Sequence, residues 1–130
     1  MVKILLDSSI LIDFLRIKNK KDSLLFELTE KNYQLYAAII THTELFSGKS
    51  VWERRGAYSE VKDLFFRIAV LPMTEEISEK AGEIKAKFDL NIADAIIAAT
   101  AILTNLELVT LNIKDFKKVE NLKLLNIGEF

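Results

Sequence analysis

The feature that most constrains the fold of this chain is a short apolar run that stops at a single acidic residue. Residues 2–6 read VKILL, and Asp7 follows them at once. A continuous apolar stretch with one Lys is typical of a strand that is covered on both faces, as strands are in a parallel sheet. Such a strand places the Asp7 carboxylate at one edge of the sheet, where acidic residues from later in the chain can join it.

Strand and helix patterns alternate along the rest of the chain. Further strands are predicted at residues 34–40, 67–71 and 106–110, with a short last strand around 122–125. Helical patterns separate them, and the most apolar of these helices covers residues 91–105. This order predicts a three-layer α/β sandwich with a mostly parallel central sheet of four to five strands and right-handed crossovers.

Local signals predict where several elements begin. Thr41, followed three residues later by Glu44, has the capping-box pattern, which predicts that a helix begins at Thr41. Thr74 is predicted to start another helix. Residues 111–116, LNIKDF, are predicted to form a loop beyond the fourth strand.

Composition excludes several classes of protein. The chain has no cysteine, which removes disulfides, thiolate catalysis and zinc sites built on sulfur. No apolar run reaches the roughly 18–20 residues that a membrane-spanning helix needs. We therefore expect a single domain over residues 1–130 that resides in the cytoplasm and has no membrane partner.

Four acids fall where the predicted sheet would place a functional site, which is beyond the carboxyl ends of the strands. Asp7 closes the first strand, Glu44 lies just past the second, and Asp115 follows the fourth by a short loop. Asp94 lies in the first turn of the most apolar helix, where a carboxylate is costly unless it is paired or binds a metal. We predict that these four carboxylates converge.

Each acid also has a structural explanation when it is taken alone. Asp7 could cap a helix, Glu44 could belong to a capping box, and Asp94 could pair with Asn91 in a similar arrangement, while Asp115 could be an ordinary loop acid. These explanations leave unexplained why all the positions at this edge are acidic.

A cluster of carboxylates predicts a hard cation, because like charges repel and the ion relieves the repulsion. Oxygen ligands without Cys favour Mg²⁺ or Mn²⁺, and the sequence does not decide between one ion and two. Hydroxyl and amide side chains near the same edge are predicted to support the ligands or a metal-bound water; they are Ser8, Thr41, Thr110 and Asn112.

Four segments carry these residues in order: LLDSSILIDFL, THTELFSG, NIADAIIAATA and LVTLNIKDF. Together they resemble the PIN-domain ribonucleases, and most closely the VapC-type toxins of prokaryotic toxin–antitoxin pairs. The resemblance implies a flavodoxin-like sheet, a Mg²⁺ or Mn²⁺ site and cleavage of single-stranded RNA. It also implies a small VapB-like antitoxin partner and a homodimer.

The resemblance matches three acids directly and leaves the fourth open. Asp7, Glu44 and Asp94 match the family's first three acids. Asn112 stands where many members have an Asp, and Asp115 follows in the Asn-x-x-Asp form that the toxin-like subgroup often carries. Asp13 also matches a position that is often acidic.

An acidic pocket repels a polyanion, so RNA binding needs positive charge around it. The basic residues placed to supply it are Lys49, Arg54, Arg55, Lys114, Lys117 and Lys118. His42 is expected to be structural, and Trp52 to pack in the core or a dimer, with stacking on a base as the alternative.

Two other functions fit parts of the sequence. A phosphoacceptor receiver domain needs an Asp at the end of the third strand, where this chain reads VLPM. A PIN-like module that binds RNA or a partner without cleaving would not need the full set of acids. The sequence therefore favours the nuclease.

Overall fold

A four-stranded sheet forms the centre of the computed structural model, which describes residues 2–126. Its strands are β1 (Lys3–Leu6), β2 (Gln34–Ala38), β3 (Ile68–Leu71) and β4 (Glu107–Val109). All pairings are parallel, and the spatial order is β3-β2-β1-β4. The predicted strand around 122–125 is reduced to one parallel bridge between Leu124 and Leu108.

Helices follow the strands and cover both faces of the sheet. They are α1 (Ser8–Arg16), α2 (Leu24–Glu30), α3 (Ile39–Phe46), α4 (Lys49–Glu53), α5 (Ala57–Leu64), α6 (Glu75–Phe88), α7 (Ile92–Thr104) and α8 (Ile113–Phe116). Within residues 2–126, none of the helices combines the length and the apolar character that crossing a membrane requires.

The alternation of side chains along β1 divides the core into two layers. Leu5 faces a cluster made largely by α6 and α7, whereas Ile4 and Leu6 face a second cluster made largely by α1, α2, α3 and α5. Small residues such as Ala98 and Ala99 are fully buried in α7, which lets that helix pack closely. The predicted three-layer α/β sandwich with a mostly parallel sheet is thus confirmed.

The strand order creates a crevice between β1 and β4. The chain leaves β1 toward β2 and β3 on one side, and returns much later to place β4 on the other side. Leu6 pairs with Val109, and the backbone N–H of Asp7 donates to the Val109 carbonyl oxygen at 2.9 Å. Ligands of open α/β sheets bind at such a switch point, outside the carboxyl ends of the strands.

Two local predictions are wrong. The third helix begins at Ile39 rather than Thr41, and its N-cap is Ala38, so Thr41 and Glu44 do not form a capping box. Thr41 is instead buried inside the helix, where its hydroxyl lies 3.2 Å from Ser8 Oγ. The segment 111–116 is not only a loop, because burial of Phe116 anchors the short helix α8.

The remaining helix starts agree with the sequence or refine it. Thr74 caps α6 by accepting a hydrogen bond from the backbone N–H of Ile77 at 3.1 Å, as predicted. The helical stretch between β2 and β3 is interrupted at Gly56, whose φ of 85° is a left-handed conformation that favours glycine.

We expect Phe116→Ala to lower the free energy of unfolding by about 3–5 kcal/mol, because the side chain is fully buried and its loss leaves a cavity. Urea titration followed by circular dichroism measures the change. The matched control is Phe66→Ala, whose side chain is 90% exposed and should change stability by less than about 0.5 kcal/mol. Similar values for both variants would show that α8 is not anchored in this way.

Candidate metal centre

Asp7 lies at the carboxyl end of β1 and is held by hydroxyl groups on both sides. Its carboxylate, 4% exposed, accepts hydrogen bonds on Oδ2 from Thr110 Oγ1 at 2.6 Å and from Ser9 Oγ at 2.8 Å. Asp7 occupies the N-cap position of α1, but its side chain makes no capping bond. The carboxylate is therefore oriented jointly by Thr110, just past the end of β4, and by Ser9 in the first turn of α1.

Glu44 reaches α1 from the next helix along the sheet. Ser8 Oγ donates to Glu44 Oε1 at 2.6 Å, a length typical of a charge-assisted hydroxyl–carboxylate hydrogen bond. Ser8 and Ser9 are adjacent in the first turn of α1 and hold different acids. The first turn of α1 thus orients both Asp7 and Glu44.

Asp94 lies in the first turn of α7, held by the helix cap. Asn91 Oδ1 accepts from the Asp94 backbone N–H at 2.8 Å, and Asn91 Nδ2 donates to Asp94 Oδ2 at 3.0 Å. The pKa of Asp94 is raised to about 6, first by burial and then by the charge of Asp7, with smaller contributions from Glu44 and Asp115. The hydrogen bond from Asn91 acts in the opposite direction and lowers the pKa. The charges of the other three predicted acids thus act on Asp94.

Asp115 completes the set from α8. Asn112 Nδ2 donates to Asp115 Oδ2 at 3.0 Å, and Lys118 Nζ lies 3.6 Å from Asp115 Oδ1. The Asn112 bond, together with Lys118 and Lys114, lowers the pKa of Asp115. Asn112 and Asp115, which the sequence left as alternatives for the fourth position, are therefore partners.

The carboxylates face one another without forming a compact ligand cage. Among residues 2–126, no group of three or more His, Cys, Asp or Glu side chains is close enough to hold a metal ion as it stands. The physical reason is that like charges repel and each carboxylate turns to its own hydroxyl or amide donor. The donor atoms are all oxygens, which is the chemistry that Mg²⁺ and Mn²⁺ prefer.

The predicted supporting residues lie against the acids, and one further residue had been missed. Thr110 contacts Asp7, Ser8 contacts Glu44, and Thr41 contacts Ser8. Ser9 was not predicted, although it also accepts from the Leu111 backbone N–H at 3.0 Å and so joins α1 to the loop after β4. The signal for it was its position two residues after an Asp, where a hydroxyl can reach back to the carboxylate.

The predicted basic residues lie on or just after two short helices. Lys114, Lys117 and Lys118 lie on and after α8, while Lys49, Arg54 and Arg55 lie on and after α4. Arg54 forms an exposed ion pair with Glu60 at 2.9 Å.

Arg16 is a further cation that the sequence did not single out for this role. It lines a cavity of about 340 Å³ together with Glu44 and Arg54. A second cavity, on the other side of α1, is lined by Arg16, Ser9 and Leu111. Positive charge therefore stands at the end of α1, between two cavities that adjoin the acids.

The predictions made for the aromatic residues His42 and Trp52 fare differently. The His42 ring packs between Phe46 and Phe65, with centroid distances of 4.7 and 4.8 Å, in keeping with the structural role expected of it. Trp52 is 65% exposed, so packing in the core is wrong, while packing in a dimer and stacking on a base stay predictions.

Comparison with known proteins decides the family. The model of the PIN domain family matches residues 4–122. This chain belongs to the PIN-domain family. The PIN domain is 34% identical over 126 residues to Ribonuclease VapC10 of Mycobacterium tuberculosis, covering 92% of this chain and 90% of that one. It is 30% identical over 106 residues to Ribonuclease VapC2 of Rickettsia felis, covering 77% and 79% of the two chains.

Solved structures share the fold. A toxin–antitoxin complex from Klebsiella pneumoniae contains a chain with 25% identity and a TM-score of 0.73, covering 92% of this PIN domain and 94% of that chain. The VapBC-1 structure from nontypeable Haemophilus influenzae gives a TM-score of 0.77 at 23% identity, covering 98% and 99%. The family resemblance read from the sequence is thus confirmed, and the receiver-domain alternative gains no support.

The raised pKa of Asp94 predicts a pH-dependent difference between wild type and Asp94→Asn in chelator. The pKa of Asp94 is about 6 in the folded state, against an ordinary value of 3.8, so the folded state binds the Asp94 proton more tightly than the unfolded state does. The contribution of this group to stability is therefore present at low pH and lost as pH rises through 6. Asp94→Asn should be more stable than wild type by about 1 kcal/mol at pH 7.5, and the gain should shrink toward pH 4.

Thermal or urea unfolding at the two pH values measures this difference. The control is Asp63→Asn, an exposed acid on α5, for which a change below about 0.5 kcal/mol is expected at both pH values. A loss of stability in Asp94→Asn that does not depend on pH would mean that Asp94 serves α7 only as part of its cap.

Proposed function

We propose that this chain is a divalent-metal-dependent endoribonuclease that cleaves single-stranded RNA as the toxin of a VapBC-type pair. The observation that carries the proposal is that Asp94 is close enough to Asp7, Glu44 and Asp115 for their charges to raise its pKa, in a chain with the sheet of a PIN domain. The relatives named as VapC ribonucleases support the activity, and the absence of a membrane-spanning helix in residues 2–126 is compatible with a cytoplasmic site of action.

We assign Mg²⁺ or Mn²⁺ to Asp7, Glu44, Asp94 and Asp115. The fit rests on the oxygen donors and on the raised pKa of Asp94, to which burial contributes most and the charges of the other three acids add; a cation relieves that repulsion. When bound, the metal supplies an activated water and charge neutralisation at the phosphate.

The chain's own hydroxyl and amide groups position the ligands. Thr110 and Ser9 fix the Asp7 carboxylate, and Ser8 fixes Glu44. Asn91 and Asn112 each donate to one carboxylate oxygen, which leaves the second oxygen of Asp94 and Asp115 turned away from that bond. Such outer contacts hold ligands in orientation, and their loss weakens metal binding by about 10- to 100-fold.

We expect Asp7→Asn to reduce cleavage of a labelled single-stranded RNA by more than about 100-fold, since it removes a charged ligand while retaining the shape of the side chain. Asp63→Asn is the control and should cleave as wild type does. Chelator should abolish the wild-type activity, and Mn²⁺ or Mg²⁺ should restore it and raise the thermal midpoint. Cleavage that persists in chelator, or in Asp7→Asn, would overturn the proposed function.

RNA reaches an acidic centre only if cations offset the repulsion. We propose that Lys114, Lys117 and Lys118 on one side, and Lys49, Arg54 and Arg55 on the other, contact the phosphate backbone. Lys117 is exposed just beyond the C-terminal end of α8, close in sequence to Asp115.

We expect Lys117→Gln, made in the Asp94→Asn background so that RNA is not cut, to weaken binding and reduce the slope of log affinity against log salt by about 0.7. Lys3→Gln removes the same charge at the opposite edge of the sheet, at the start of β1, and should leave the slope unchanged. Fluorescence anisotropy with a short labelled RNA measures both. Equal slopes in the two variants would remove Lys117 from the RNA path.

The partner we propose is a small VapB-like antitoxin, as in the toxin–antitoxin complexes that share this fold. An apolar groove of about 1030 Å³ between α1, α2 and α5 could receive an amphipathic helix, the commonest occupant of such a groove. Its walls include Phe14, Leu25 and Leu64, and its rim carries both Arg67 and Asp63. Homodimer formation also belongs to this proposal.

A further inference from the structure

Trp52 is exposed but fixed in position. It is the only tryptophan of the chain, and 65% of its surface is accessible on the five-residue helix α4. Its indole Nε1 donates to the Phe46 carbonyl oxygen at 2.8 Å. The polar atom is thereby satisfied within the chain, and the exposed part of the ring is an apolar face.

Tyr58 extends this face. Its ring lies 5.4 Å from that of Trp52 at an angle of 44°, and 44% of its surface is exposed. Phe46 packs behind both rings, with centroid distances of 6.2 and 5.8 Å, and is itself stacked on Phe65. Trp52 and Tyr58 together are called the aromatic platform below.

The segments that carry the aromatic platform are anchored in the core. Val51 and Ala57, the neighbours of Trp52 and Tyr58 in sequence, are both buried, as is Val61 one turn further along α5. The rings are thus presented by fixed helices, so little conformational entropy is lost when a ligand binds to them.

Basic residues lie close in sequence to the aromatic platform, although Arg54 is paired with Glu60. Lys49, Arg54 and Arg55 fall within seven residues that include Trp52, with Glu53 as the acid among them. Lys and Glu are depleted at protein–protein interfaces, whereas aromatic residues and Arg are enriched there, so Lys49 and Glu53 are the residues here that do not fit such an interface. Aromatic rings next to cations are instead the usual composition of surfaces that bind single-stranded nucleic acid, where bases stack and phosphates pair with the cations.

The helix that carries Trp52 also borders a cavity that reaches Glu44. One cavity of about 340 Å³ is lined by Glu44, by Ser47, Gly48 and Ser50 at the turn into α4, and by Val51 and Arg54. Glu44 therefore lies at one side of this cavity, and the helix that presents Trp52 lies at the other.

We propose that the aromatic platform stacks on a base of the single-stranded RNA substrate, at a nucleotide away from the cleaved bond. This inference rests on the proposed function, since it assigns a binding subsite to the same reaction. The subsite is tolerant of base identity, because every base has a π-face. The phosphates of the bound RNA lie toward Lys49 and Arg55.

The single tryptophan makes a direct test possible. In the Asp94→Asn background, addition of an eight-nucleotide RNA should quench Trp52 fluorescence, because a stacked base contacts the indole. An oligonucleotide of the same length whose internal residues are abasic keeps the phosphates, so it should bind more weakly and leave the emission unquenched. No substitution near the platform is needed for this measurement.

Substitution provides the second arm. Trp52→Leu should weaken RNA binding by about 5- to 150-fold and, with the acids intact, raise KM while leaving kcat within about twofold of wild type. Trp52→Phe should restore part of the affinity. The matched control is Phe66→Leu, another exposed aromatic residue, which should leave RNA binding unchanged.

The outcomes separate this inference from the proposed function. Wild-type protein that neither binds nor cleaves RNA overturns the proposed function and the subsite with it. Cleavage by wild type, together with unquenched Trp52 and unchanged KM in Trp52→Leu, overturns the subsite alone. Emission that shifts with protein concentration before RNA is added, and then does not respond to RNA, would make the platform a contact between copies of the chain and also overturn the subsite.

Discussion

The placing of four acids beyond the strand ends of a parallel sheet is the constraint on which the rest of this structure depends. The hydrophobic core brings the strand ends together, and the acids must then be accommodated side by side. Each has its own neutral donor: hydroxyls for Asp7 and Glu44, and amides for Asp94 and Asp115. These donors orient the negative charges without neutralising them, so the affinity for a cation is retained.

The first turn of α1 does much of this positioning. Ser8 and Ser9 are consecutive, and successive residues of a helix point about 100° apart, so one hydroxyl reaches α3 while the other reaches the end of β4. The site is therefore assembled around the helix that follows the central strand. Distortion of this turn would displace two acids at once.

Much of this arrangement could be predicted from the sequence, because it depends on local patterns. Apolar runs identified the four strands, and the rule for parallel sheets then placed Asp7, Glu44 and Asp115 at one edge. Asp94 stood out as a charge in an apolar helix, and the structure couples its pKa to the other three acids.

What could not be predicted depends on contacts between distant residues. Thr41 and Glu44 have the same spacing whether Thr41 caps a helix or lies inside one, and the deciding contact is with Ser8, 33 residues away. Phe116 anchors α8 only because the completed core buries it. The exposure of Trp52 follows from the bond between its indole and the Phe46 carbonyl group, which no periodicity in the sequence reveals.

The position of β1 between β2 and β4 has a consequence for synthesis of the chain. Asp7 is made early, yet its partner Thr110 is 103 residues later, and Asp115 later still. A ribosome must therefore produce nearly all of the described sequence before the acids can meet, whereas β1 and β2 can pair long before. The proposed metal centre can therefore form only after most of the PIN domain has been synthesised.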